Sequence, residues 1–565
     1  MLYNPEKEQY PYVIPDLQDW PLVKLSNDKQ NFLAEVNAYT IDYLLRIFSE
    51  EEISDEIART IYLEKKRTKE EPWRVDPKTE KKFWGSISKS LIKKSLDKTE
   101  EERQGVLTNN KEILNRIISR YANEIVGRFH IKTYLFARSF LTVAFTRLLN
   151  SIAGKNALKF FSRRYQLQQK IQAIGEIEHI RELSKKGTVV IVPTHFSNLD
   201  SILIGLAVDF IGVPAVSYGA GLNLFNTGIL AFFMNRLGAY RVDRRKKSKI
   251  YIETLKAYST LSIKRGTHSL FFPGGTRSRS GLIEKQLKKG LVGTTIEAQR
   301  MIFEEGREDK VFIVPMVLGY HFVLEAESLI KQHLKHTGEE KYLVPNDEFT
   351  SIRKRMSFVY QFFSSGSEIM VSFGKPIDVF GNFVDEEGVS FDKRGNKINL
   401  QDYFISNGKL ARDNQRDAEY TKLLAGIMVK RLHAENIVLS SQMMAFAAFN
   451  IIKAKHPNLD IYGILRLSDE ARKIPQDEFM LVMNHLRTKL LELANANQLK
   501  LSNIILNKDL DSLVKDGLKH LGTYHAEKVL KKDKHGNFVT DSLKLLYYYH
   551  NHLIGYELER SVKWV

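Results

Sequence analysis

The chain has 565 residues, 43% of them apolar and 27% charged, and 85 Lys+Arg against 67 Asp+Glu leave a net charge of +18. That length implies two or three domains with a sizeable core. The charge favours an anionic partner, whether nucleic acid, anionic membrane or a phosphorylated small molecule, and the absence of cysteine excludes disulfides, thiolate metal sites and an acyl-cysteine intermediate.

The opening MLYNPEKEQYPYVIP is polar and lacks the apolar core of a signal peptide, and no run of about 18 uncharged apolar residues marks a spanning helix. Residues 1–186 read as a helical, highly charged region. Asn31 to Phe48 alternates apolar and polar residues at helical spacing, and EEISDEIARTIYLEKKRTKEE after it carries i, i+4 charge pairs. Asn109 to Phe129 and Ile131 to Asn150 read as two more helices. The second sets Tyr134, Leu135, Phe140, Leu141, Val143, Phe145, Leu148 and Leu149 against Lys132, Arg138 and Arg147. Such a helix suits a membrane surface, though composition alone slightly favours an amphipathic helix packed on the neighbouring domain. ALKFFSRRYQLQQKI from Ala157 presents the same two readings.

Residues 187–377 alternate strands and helices. Strands are predicted near Thr188 to Pro193, Val213 to Tyr218, His268 to Pro273 and Val311 to Leu318, with helices from Asp200, near Thr227 to Leu237, through Ile252 to Lys264 and through Lys285 to Arg300. This rhythm predicts an α/β fold with a largely parallel sheet covered by helices. Thr188 to Val192 is mostly β-branched and suits a strand covered on both faces. Ser197 or Asn198 is placed to cap the following helix, so His195 and Asp200 fall on a strand-to-helix turn at the carboxyl edge of the sheet.

A neutral imidazole there can take a proton from a hydroxyl if a carboxylate holds its other nitrogen, and Asp200 is positioned to be that carboxylate. Backbone donors near the turn are the expected holders of an oxyanion. Taken alone, the HxxxxD pattern better describes a buried, hydrogen-bonded histidine with a solvated aspartate. A zinc site is disfavoured, because the i, i+4 pair of histidines and any cysteine are missing.

In FFPGGTRSRSG, Phe271 to Gly281, Gly274 and Gly275 permit close backbone approach, Thr276 and Ser278 offer hydroxyls, and Arg277 and Arg279 can grip phosphate bidentately. Arg241, Arg244, Arg245, Lys246 and Lys247 form a second basic cluster, readable as a solvated loop or as contacts to phosphate and lipid headgroups. The apolar stretches Ser201 to Met234 and Ile437 to Ile452 read as buried or interfacial, with a re-entrant segment as an alternative for the first.

Residues 378–455 comprise a polar, glycine-spotted insertion or long loop to about Asp417 and two returning helices, Ala418 to Ala434 and Val438 to Lys453. Residues 456–565 read as a helical carboxyl-terminal region with a turn at Lys534 to Asn537 and an aromatic end, LLYYYHNHLIGYELER.

Four stretches in order, HFSNLD, GAYRVDR (Gly238 to Arg244), FFPGGTRSRSG and VPMVLGY (Val314 to Tyr320), resemble the four blocks of the glycerolipid acyltransferase family. The resemblance covers about Gly187 to Pro376, with VSFGKPI (Val371 to Ile377) similar to the strand that closes such a domain. It implies a catalytic dyad of His195 and Asp200, and acceptor binding by Arg244, Gly275, Thr276, Arg277, Ser278, Arg279 and Pro315. It also implies transfer of a fatty acyl group from a thioester of coenzyme A or acyl carrier protein to a hydroxyl of a glycerol phosphate, without metal or cofactor.

The TRSRSG wording, the long flanking regions and the YYYHNHL run resemble the glycerol-3-phosphate acyltransferases, which make lysophosphatidate in phospholipid synthesis. The alternative is 1-acyl-glycerol-3-phosphate as acceptor. One position departs from the family: its third block usually reads FPEGTR, and here Gly274 replaces the glutamate. That leaves an altered acceptor site or a carboxylate supplied from elsewhere. The expected location is peripheral or interfacial, on an anionic membrane surface at its cytoplasmic side. A nucleic-acid-binding reading rests only on charge and on aromatics among basic residues, as in KFFSRRYQ, and no nucleic-acid partner is expected.

Overall fold

The computed structural model of the chain describes residues 10–95, 102–152, 171–222, 225, 228–337, 369–523 and 525–564. Six helices come first: α1 (Pro21–Asn27), α2 (Lys29–Ile47), α3 (Glu50–Glu70), α4 (Glu80–Ser95), α5 (Glu102–Ile125) and α6 (Ile131–Ile152). Local sequence sets several of their ends. Ser49 caps α3 through a capping box with Glu52, and Pro21 opens α1, where a missing N–H costs nothing. Beyond α6, the ALKFFSRRYQLQQKI segment lies outside the described residues, apart from its last residue, Ile171.

The sheet is built from β1 (Ile171–Gly175), β2 (Gly187–Pro193), β3 (Ser217–Gly221), β4 (Ala239–Val242), β5 (Ser269–Leu270), β6 (Lys310–Gly319) and β7 (Ile369–Phe373), in the order β1-β7-β6-β2-β5-β3-β4. From β6 to β4 all neighbours are parallel, whereas β7 runs antiparallel to β6 and β1 runs parallel to β7. The expected α/β architecture with a largely parallel sheet is therefore present. Helices α7 (Ile177–Lys186), α8 (Asp200–Phe210), α9 (Gly228–Met234), α10 (Lys249–Lys264), α11 (Lys289–Glu304) and α12 (Ala326–Thr337) connect or cover these strands. Val189 to Val192 and Val311 to Leu318 are buried throughout, as continuous apolar strands covered on both faces should be.

Several boundaries differ from the sequence reading for local reasons. The sheet begins with β1, ahead of Gly187. β3 starts at Ser217, after a lead-in from Val213. The strand expected over His268 to Pro273 shortens to β5, because the chain turns away at Phe272 to Gly275, where the Gly275 amide donates to the Phe272 carbonyl. α11 starts at Lys289, not Lys285, because residues 281–288 form the return arm of that turn, held by the Lys288 amide on the Pro273 carbonyl.

The insertion after Asp378 is an ordered meander. Asp378, Asp385 and Asp392 each accept the amide four residues on, from Asn382, Val389 and Asn396, and the three turns frame an antiparallel sheet of Phe383–Val384, Ser390–Phe391 and Lys397–Ile398. The apolar stretch at Ile437 becomes the helix Ser440–Lys455, buried on every side from Ser440 to Ile452 and packed among the helices Gln476–Asn495, Leu510–His520 and Leu543–His550. α8 is buried over most of its length too. Among the described residues no helix is long and apolar enough to cross a membrane.

Candidate active site

β2 delivers the chain to its carboxyl edge at Pro193, and the turn that follows places His195 beside the first residue of α8, Asp200. His195 Nδ1 lies 2.7 Å from Asp200 Oδ2. The same oxygen accepts the backbone amides of Phe196 at 2.7 Å and Ser197 at 3.0 Å, and Oδ1 accepts the Tyr320 hydroxyl at 2.5 Å. Asp200 is completely buried, and with three other donors converging on it, it can only accept from Nδ1. That assigns the proton to Nδ1 and leaves Nε2 its lone pair. The imidazole stacks on Phe272 at 4.0 Å between ring centres and keeps 17% of its side-chain surface exposed. A base oriented by a buried carboxylate can abstract a proton from a hydroxyl that reaches Nε2.

The turn is held differently from the expectation. Neither Ser197 nor Asn198 caps α8: Leu199 stands at the N-cap without a side-chain bond, because Ser197 Oγ accepts only the Leu199 amide. The carboxylate that organises the turn is Asp200 itself, together with Glu325, whose oxygens accept Ser197 Oγ and the Asn198 amide, each at 3.0 Å. The amides of residues 196–200 are thus all engaged internally, the last on the Ser197 carbonyl. The expected oxyanion donors near this turn are already spent.

The third block comes up against the dyad through Ser278, whose amide donates to the His195 carbonyl at 2.7 Å, while its hydroxyl donates to the Leu282 carbonyl. Gly275 needs its glycine, having φ +74° and the Lys288 side chain where a Cβ would stand. Thr276 is half-buried in the same loop. Arg277 donates to Glu325 at 3.0 Å, so one of its nitrogens braces the His195 turn. Arg244 and Arg279 are exposed, with no hydrogen bond or ion pair among the described residues. Arg244 is held below the usual guanidinium range by the surrounding protein and then by the charges of Arg277 and Arg279, so three cations share one region, and among the described residues no carboxylate pairs with Arg244. Pro315 is buried inside β6, paired with Val192, its carbonyl accepting the Gly374 amide. Beside Gly274 lies the Glu284 carboxyl, with Oε1 2.7 Å from where a Cβ on Gly274 would stand.

The rest of the second basic cluster does not face solvent as a group. Arg245 donates to Asp243 and Asp76 and lies over Trp73 at 4.2 Å. Lys246 is buried against Glu124 and the Tyr121 ring. Both lock the catalytic region onto the amino-terminal helices, which corrects the reading of them as headgroup contacts.

Sequence reasoning assigned no role to Tyr320 or Glu325, although Tyr320 ends the fourth block. It also left the carboxyl-terminal aromatic run without a place. That run forms the back of the site: Asn551 Nδ2 donates to the Ser280 carbonyl at 2.8 Å, His552 stacks on Phe196 at 4.9 Å, and the Tyr549 hydroxyl accepts the Val323 amide at 2.9 Å.

The family model described as Acyltransferase matches residues 173–319. A glycerol-3-phosphate acyltransferase of Pseudoalteromonas atlantica is 24% identical over 384 residues, 66% of this chain and 42% of that protein. One of Alteromonas mediterranea is 30% identical over 208 residues, 36% of this chain and 23% of that protein. The chain therefore spans less than half the length of these relatives. A solved 1-acyl-sn-glycerophosphate acyltransferase from Thermotoga maritima aligns with 68% of this chain and 98% of its own at 11% identity and a TM-score of 0.24, too weak a likeness to carry an argument. The family match begins in β1 and ends on the last residue of β6, so the residues similar to an acyltransferase domain are those that enclose the dyad and the basic loops.

Proposed function

We propose that the chain transfers a fatty acyl group from a thioester of coenzyme A or acyl carrier protein to a hydroxyl of glycerol-3-phosphate, giving lysophosphatidate. The observation that carries this reading is the His195–Asp200 pair with its Tyr320 brace, set beside the unpaired Arg244 and Arg279. His195 Nε2 takes the hydroxyl proton as the oxygen attacks the thioester carbonyl; the C–S bond then breaks, and the proton passes to the departing thiolate. Asp200 stabilises the imidazolium formed between these steps. Arg244 and Arg279 hold the acceptor phosphate, since a guanidinium fork suits phosphate oxygens. The names of the relatives support the choice of acceptor.

Interfacial seating on the anionic cytoplasmic leaflet completes the proposal. Tyr134 and Arg138 pin one side of α6 to the buried Asp209 of α8, at 2.7 and 2.9 Å. Its other side leaves Leu135, Phe136, Phe140 and Val143 exposed, joined by Phe232 of α9 with Arg236 beside it. A helix docked by its polar residues with its apolar face outward suits the boundary between headgroups and acyl chains.

The test is an assay with labelled acyl thioesters and a panel of glycerol-phosphate acceptors. Lysophosphatidate from glycerol-3-phosphate is expected, with His195→Ala lowering turnover about 10²- to 10⁴-fold in a folded protein. Consumption of 1-acyl-glycerol-3-phosphate alone would replace the acceptor, and near-normal turnover by the variant would remove the mechanism.

A further inference from the structure

The return arm of the third block carries a carboxyl group that the dyad does not use. Both oxygens of Glu284 are buried and no side chain donates to them, so only the nearby backbone amides of Glu284 and His195 attend the carboxyl, a costly state for an acid unless something further donates to it. Burial raises its pKa to about 7; its own amide and that of His195 oppose the rise, and the charge of Asp200 adds to it. The carboxyl therefore lies in the electrostatic field of the dyad.

Its place is set by Gly274. A Cβ there would meet Oε1 at 2.7 Å, Cγ at 3.0 Å and Cδ at 3.3 Å, so Glu284 fills the room that a side chain at 274 would need. Along this loop Gly274 lies between Phe272, which stacks on the His195 ring, and Arg277 and Arg279, whose charges act on Arg244. An acceptor with its phosphate at the arginines and its reacting hydroxyl at His195 must pass its middle carbon along this stretch.

We infer that Glu284 is the group that receives the non-reacting hydroxyl of the acceptor, and so sets a preference for a glycerol phosphate with two free hydroxyls. The inference rests on the acyl-transfer reading above. It gives the buried carboxyl a hydroxyl donor, and it explains a glycine at 274: the carboxylate comes from further along the chain and needs the space. A site built to hydrogen-bond a hydroxyl discriminates strongly against an analogue that lacks it, since the buried acceptor is then left unpaired.

The experiment compares kcat/KM for glycerol-3-phosphate and for 3-hydroxypropyl phosphate, which lacks only the middle hydroxyl, using the full chain and one labelled acyl-CoA. The wild type should prefer glycerol-3-phosphate about 10- to 100-fold. In Glu284→Ala that ratio should fall toward one. Glu284→Gln, nearly isosteric, should keep part of it, and adding Gly274→Glu to Glu284→Ala should restore it in part. A merely structural role would lower both acceptors equally. An unchanged ratio in folded Glu284→Gln and Glu284→Ala, or a wild type that acylates both acceptors alike, overturns the inference and leaves acyl transfer standing. A wild type that acylates neither overturns acyl transfer itself, and the inference with it.

Discussion

Asp200 shows how much of the chemistry depends on a residue's company. Its two oxygens serve the imidazole, two backbone amides and a tyrosine, so the carboxylate is fixed from four directions before any substrate arrives. The arginines divide by the same criterion. Arg277 pairs with the buried Glu325, which also holds Ser197 and Asn198. Arg277→Ala should therefore cost about 1–3 kcal/mol of stability by leaving that carboxylate short of a partner, and should lower kcat as the His195 turn loosens. Arg244→Ala, at an exposed and unpaired side chain, should raise the acceptor KM and leave the thermal midpoint nearly unchanged. Denaturation curves and steady-state kinetics on the two variants separate these outcomes.

Glu284 adds a pH signature at this scale. Its folded pKa of about 7 stands above its ordinary 4.5, so the folded state binds this proton more tightly than the unfolded chain does. The associated stability is complete below about pH 4.5 and is lost as pH rises through about 7. Glu284→Gln should flatten that part of the stability profile, measured as the unfolding midpoint between pH 4.5 and 7.

Among the elements, α6 and the helix Ser440–Lys455 had similar compositions and opposite fates. Both contain Phe, Ile and Ala, joined by Leu in the first and Met in the second, and periodicity alone could not say which was covered. The second is enclosed by three helices, which is why it is apolar all round. The first is tethered through Tyr134 and Arg138 and turns Phe136 and Phe140 outward, at 60% and 56% exposure. The double substitution Phe136→Ser with Phe140→Ser should weaken sedimentation with anionic vesicles several-fold. The midpoint of unfolding should hardly move, because exposed positions contribute within about 0.5 kcal/mol.

Across the whole molecule, the amino-terminal helices and the sheet with its covering helices share a core and a set of buried ion pairs. Tyr240 of the sheet and Tyr251 and Tyr258 of its covering helices pack with Phe32, Trp84 and Tyr121 of the amino-terminal helices. Lys246 reaches Glu124, and Arg245 reaches Asp76. Burial holds Glu124 above the usual carboxylate range, with Lys246 opposing it. Lys246→Met should remove the buried ammonium from that acid, leave it Arg120 alone at 2.7 Å, and cost about 1–3 kcal/mol, visible as a lowered midpoint for the helices and the sheet together. Separate transitions for the two parts would show that the shared core does not couple them. At the other end of the chain, the run ending in Asn551 and His552 closes the back of the site against Ser280 and Phe196.

The alternation of β-branched runs with helical stretches, the position of HFSNLD after a strand, and the order of the four blocks are local properties, and from them the sequence alone determined the α/β class, the parallel sheet and the pairing of His195 with Asp200. Local order says nothing about which residue arrives from far along the chain. Tyr320 and Glu325 reach the His195 turn only because β6 lies beside β2 in the sheet, and Asn551 only because the helix Leu543–His550 folds back over the third block. The cluster from Arg241 to Lys247 looked uniform as a string. Whether each cation met water or a buried acid depended on where α3, α4 and α5 packed, and that placement, not composition, left Arg244 free while burying Arg245 and Lys246. Gly274 likewise read as a missing carboxylate until the return arm placed Glu284 behind it, because a side chain and the gap it fills need not be neighbours in sequence.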